Sequence, residues 1–102
     1  MVASLELTLH PNARDELREV VAWYREKTGD ASAFLAELGA VFDSVTRSPE
    51  RWPVLRNVTP AVRYRVLPAH PYTVFYRLNA TGVLVVAVAH QRRQPLYWSH
   101  RK

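Results

Sequence analysis

Leu5, Leu7 and Leu9 alternate with Ser4, Glu6 and Thr8, the period of a half-buried strand, which predicts a first strand over residues 3–9. The spacing then becomes helical. Ala13, Leu17, Val20, Val21 and Tyr24 recur on one side of a segment from Pro11, suited to a helix's first position, to Thr28, with Gly29 suited to a left-handed stop. Asp15 and Glu16 are placed in the first turn, where negative charge meets the positive end of the helix dipole. A second stripe, Phe34, Leu35, Leu38, Val41, Phe42 and Val45, runs between Asp30 as its cap and Pro49 as its end. Only Gly29 and Asp30 separate the two helices, so they form an antiparallel hairpin. Glu50 to Ala61, with Pro53 and Pro60, reads as one long loop pinned by Trp52 and Leu55.

Three further segments, Val62–Leu67, Tyr72–Leu78 and Val83–His90, are rich in Val, Tyr, Phe and Leu and are separated by turn residues, which predicts an antiparallel meander. Val83–Ala89 is apolar at every position, the mark of an interior strand, so its other neighbour is the first strand. Sheet order is then second, third, fourth, first, with Arg63 and Arg65 near an edge. The expected fold is α+β, a helical hairpin packed on one face of a small, mainly antiparallel four-stranded sheet, in the order β-α-α-β-β-β with a short C-terminal tail. At 102 residues the chain makes one domain, able to bury roughly two thirds of its unfolded surface.

Composition narrows the function. There is no Cys, hence no disulfide framework or thiolate chemistry, and no apolar run approaches the roughly 18 residues of a membrane span. No charged segment precedes an apolar run at the N-terminus, and we expect an unprocessed cytoplasmic protein without membrane attachment. The net charge of +5 is segregated along the chain: residues 1–50 hold all nine acids and five bases, residues 51–102 nine bases and no acid. Such a chain predicts a positive lobe whose partners are polyanions or acidic protein segments.

His10, His70, His90 and His100 lack metal-ligand spacing, and Gly29, Gly39 and Gly82 build no phosphate-cradling loop, so neither metal nor cofactor is expected. What remains suits phosphodiester chemistry or anion binding. Alternation sets Arg63 and Arg65 side by side on one face of the second strand, and Arg77, Arg92 and Arg93 add cations expected at one end or face of the sheet. Metal-free RNA cleavage needs a base, an acid and cations around the phosphate. His90 or Tyr97 could carry the proton, while Tyr97 and Trp98 could stack unpaired bases. In the blander reading His90 satisfies a backbone group and the two aromatics pack over the sheet.

Arg63-Tyr64-Arg65, then Pro71-Tyr72-Thr73-Val74-Phe75-Tyr76, then Ala87-Val88-Ala89-His90-Gln91-Arg92-Arg93 with Pro95, Tyr97 and Trp98, resemble the RelE/ParE superfamily of toxins from type II toxin-antitoxin systems. The ending looks like the members described as plasmid stabilisation proteins. The resemblance spans essentially the whole chain and implies a toxin neutralised by a cognate antitoxin, expected to be acidic and amphipathic. It also implies one of two targets. RelE-like members are ribosome-dependent endoribonucleases (mRNA interferases); ParE-like members inhibit DNA gyrase without chemistry of their own. In the ribonuclease branch two basic residues on the strand after the loop and a tail tyrosine act, and Arg63, Arg65 and Tyr97 match them. That branch also carries arginines where this chain has Thr73 and, nearby, Gln91, and Arg in place of Lys removes any base from the strand. The departures turn the reading towards gyrase inhibition, with the ribosome-dependent nuclease as the alternative and a non-toxic RNA-binding module as the third.

Overall fold

In the computed structural model, which describes residues 5–101, the chain runs β1 (Glu6–Leu9), α1 (Pro11–Thr28), α2 (Ser32–Arg47), β2 (Arg63–Val66), β3 (Tyr72–Leu78) and β4 (Gly82–His90). Positions 3 and 4 of the expected first strand lie outside the described residues. The sheet order is β1-β4-β3-β2, with β1 parallel to β4 and both other pairs antiparallel. This is the expected β-α-α-β-β-β arrangement with the long apolar strand inside.

Local chemistry explains the punctuation. Gly29 adopts φ 81° and returns its N–H to the Arg25 carbonyl, closing α1. The N-cap of α2 is Ala31, one residue later than expected, yet Asp30 still serves the start of the helix, its carboxylate accepting from the Ser32 N–H at 2.9 Å. The first turn of α1 holds no acid, because Asp15 and Glu16 fall beyond it; the His10 Nδ1 accepts from Asn12 N–H there instead. Between β3 and β4, the Asn79 side chain accepts from the N–H groups of Thr81 and Gly82. Gly82 sits at φ 153°, and a Cβ on it would stand 2.1 Å from the Glu6 carbonyl oxygen, so β1 approaches β4 more closely than any side chain permits.

Two cores flank the sheet. On one face Phe34, Leu38, Val41 and Val45 of α2 and Ala13 and Val20 of α1 meet Val74, Tyr76, Val83 and Val85, while Leu67 closes the margin. The other face is not open. Trp98, 1% exposed, is buried there with Val62, Val86 and Ala87, its ring 4.8 Å from that of Phe75. A β-bulge makes this second core possible: Phe75 pairs with Ala87 and Tyr76 with Val85, so Val86 has no opposite number and joins Ala87 on the tail side. Trp52 pins the long loop to the first core and Leu55 to the second. Among the described residues no helix is long and apolar enough to cross a membrane.

Candidate functional site

Strand parity places Arg63 and Arg65 on the same face as Leu67, and packing makes that the helix side. There the Arg63 Nη1 donates to the carbonyls of Glu50 at 2.9 Å and Trp52 at 2.7 Å. The Arg65 guanidinium lies over the Trp52 ring, 4.0 Å from its centre, and the Tyr76 hydroxyl donates to the Pro49 carbonyl at 2.6 Å. The two cations fasten the loop after α2 onto the sheet edge. Arg63 does so by satisfying carbonyls that an irregular segment leaves unpaired, and Arg65 by lying over the Trp52 ring.

Arg77 belongs to the opposite face, where its Nη1 donates to the Arg101 carbonyl at 2.7 Å. Arg101 is itself buried, 8% exposed, and meets Glu16 of α1 end-on, Nη1 to Oε1 at 2.8 Å and Nη2 to Oε2 at 3.1 Å. The Tyr97 hydroxyl donates to the same carboxylate. β1 ends opposite Val85, so the edge of β4 beyond it has no strand partner. Glu16 and Arg101 fill that gap, the first accepting from Val88 N–H at 3.3 Å and the second donating to the Val86 carbonyl at 2.9 Å. Burial, and then the Glu16 carboxylate, hold the Tyr97 phenol well above its usual range, while Arg101 and Arg93 oppose the shift. The Arg93 guanidinium covers the Tyr97 ring at 4.0 Å.

His90, Arg93, Tyr97 and Trp98 do converge, around a cavity of about 230 Å³ between the tail and the β3–β4 surface, with Thr73, Phe75 and Gln91 among its walls. Trp98 is built into the core beneath, so its ring offers no free face to a base, contrary to the expected stacking role. His90 Nδ1 accepts from the Arg92 N–H at 3.0 Å and its ring meets the edge of Tyr72, while the Arg92 side chain is exposed. The expected single cationic face is therefore divided. Arg63 and Arg65 lie on the helix side, and Arg77 on the tail side. The latter stands five residues along β3 from Tyr72, roughly 16 Å from the His90 end.

Glu16 and Arg101, the centre of the tail's attachment, carried no signal in the sequence: Glu16 read as a helix-start charge, and Arg101 is one of the nine bases of residues 51–102. The groove of the helical hairpin, expected along with the basic sheet as a place for an acidic amphipathic partner, carries an arginine rim that the sequence reading did not single out. Leu17 and Val21 of α1 and Leu35 of α2, the last 40% exposed although it belongs to the α2 stripe, line a cavity of about 410 Å³ rimmed by Arg14, Arg18 and Arg25. These arginines recur at helical spacing, which was the available clue. Among the described residues no group of three His, Asp or Glu side chains could hold a metal ion.

A sequence model of the family described as "ParE toxin of type II toxin-antitoxin system, parDE" matches residues 7–95, from β1 through the start of the tail. A comparison with curated proteins gives no match. With the matched segment covering every helix and strand described above except Glu6, the first residue of β1, the chain belongs to the ParE toxin family of type II toxin-antitoxin systems.

Proposed function

We propose that this toxin inhibits DNA gyrase in the cytoplasm by binding it, without chemistry of its own. One observation carries the reading: Arg63 and Arg65 are spent on internal contacts and are separated by the sheet from His90 and Tyr97, which meet at the tail cavity. Arg63 and Arg65 hold the loop on the helix side. Tyr97, on the other side, gives its proton to a hydrogen bond with Glu16 and is kept protonated, so it does not serve as a base. Thr73 and Gln91 bring no cation to the cavity beside it. Cleavage of a phosphodiester requires base, acid and cations within hydrogen-bond reach of one phosphate. Binding a protein target requires only a surface, and the exposed Arg92 and Arg93 beside the aromatic tail provide one.

The cognate antitoxin fits the groove on the hairpin. Leu17, Val21 and Leu35 take the apolar side of an amphipathic segment, and Arg14, Arg18 and Arg25 meet its acids.

A supercoiling assay with purified gyrase tests the proposal. Inhibition by the toxin, relieved by antitoxin and weakened by the exposed-residue variant Arg92→Ala/Arg93→Ala, is the expected result. Unaltered supercoiling at excess toxin, together with new RNA ends in cells expressing it that vanish in Arg65→Ala, would establish the nuclease instead. Normal growth on induction without antitoxin would leave only RNA binding.

A further inference from the structure

Behind the tail, on the side away from the His90 cavity, Thr59 and Pro60 of the loop face Arg77, Ser99, His100 and Arg101 across a cavity of about 420 Å³. Among the described residues its walls carry two guanidinium groups, one imidazole and two hydroxyl side chains, and no carboxylate. Arg77 uses Nη1 on the Arg101 carbonyl, and Arg101 uses both terminal nitrogens on Glu16 and Val86. The Nε–H of each is buried and has no acceptor among the described residues. These two atoms lie beneath the cavity surface, and the positive charge they share with the rest of each guanidinium favours an acceptor-only anion above them. The positive field is felt nearby: the His10 imidazole is held below its usual range by burial and then by Arg101, His100 and Arg77, with Glu16 opposing.

We infer that this cavity is a phosphate-binding site for a small phosphomonoester, held by Arg77, whose Nη2 makes no hydrogen bond among the described residues, with His100, Ser99 and Thr59 at the rim, while Arg101, paired with Glu16, adds only its share of the positive field. Guanidinium groups match the oxygens of a phosphate in geometry as well as charge. The volume, within the roughly 300–1,000 Å³ of small-molecule sites, exceeds what a bare ion fills and admits an organic group beyond the phosphate. Ser99, His100 and Arg101 lie past residue 95, so half of the cavity's lining is formed by tail residues outside the segment matched to the family. The inference is independent of the gyrase reading, since it concerns neither the hairpin groove nor the exposed arginines.

Titration of the whole protein by heteronuclear NMR decides it, with inorganic phosphate, a nucleoside monophosphate and, at matched ionic strength, sodium chloride as probes. Saturable shifts at Thr59, Ser99 and His100 with both phosphates and not with chloride are expected, and a bound dianion moves the His10 titration back up. The monophosphate binds at least about tenfold tighter than inorganic phosphate. Arg77→Gln weakens both by about tenfold or more; should that variant fail to fold, His100→Ala, at an exposed position, weakens them by a smaller factor and serves in its place. Shifts identical to those of chloride, or phosphate shifts unchanged in the variants, overturn the site. Equal affinity for the two phosphates overturns the organic ester and leaves a free-anion site.

Discussion

At the scale of single residues, Glu16 does the work of three contacts: it accepts from Tyr97, pairs with Arg101 and receives the Val88 N–H. Both partners of the ion pair are largely buried, 8% and 12% exposed at their side chains. Removing one partner leaves a buried charge unmatched, so Glu16→Ala is expected to cost about 3–5 kcal/mol, read as a lower urea midpoint and faster proteolysis of the tail. A midpoint within error of the parent would show that the Glu16 contacts do not hold the tail. Phenols give a second residue-level prediction. Burial pushes the Tyr76 hydroxyl up to about 12 and raises Tyr97 as well, against an ordinary value of about 10. The unfolded chain releases these protons first, so their contribution is complete below pH about 10 and declines as the pH climbs from there through about 12. Urea midpoints measured across this range should fall, and those of Tyr97→Phe should fall less; a flat profile would contradict both assignments.

At the scale of elements, the strands and helices were legible because each has a period that burial enforces. β1 to α1 is a change from two to about 3.6 residues, and Gly29 and Pro11 mark ends that backbone geometry alone selects. The bulge at Val86 was not legible, because Val83–Ala89 is apolar at both parities and gives no phase to follow. That same run does record that β4 is covered on both faces. Close pairing of β1 with the start of β4 depends on the missing side chain of Gly82. Gly82→Ala forces a Cβ against the Glu6 carbonyl as well as a left-handed backbone, a strain on the order of 1–3 kcal/mol or more. Amide exchange should then accelerate in β1 before it does in β3, and equal protection of the two would refute the dependence.

At the scale of the whole molecule, charge segregation along the chain does not become one charged face. The bases of the second half are distributed over both sides of the sheet, and several are consumed within it; the arginine rim exposed on the hairpin comes from the first half, which is net acidic. An acidic antitoxin on that rim should bind more weakly as salt is added, by reduced association rate above all. Affinity independent of salt, measured by surface plasmon resonance or calorimetry, would place the antitoxin on the apolar floor alone. The sequence by itself determined the elements, their order, the interior place of β4 and the pairing of Arg63 with Arg65 on one parity, because these follow from short-range periodicity and from turn and cap residues. Only the tertiary structure decided which face that parity meets, where the Arg101 guanidinium finds its carboxylate and why Trp98 is core. Those outcomes join residues up to 85 positions apart, and no local pattern carries the sign of a face until helices on one side and tail on the other have claimed it.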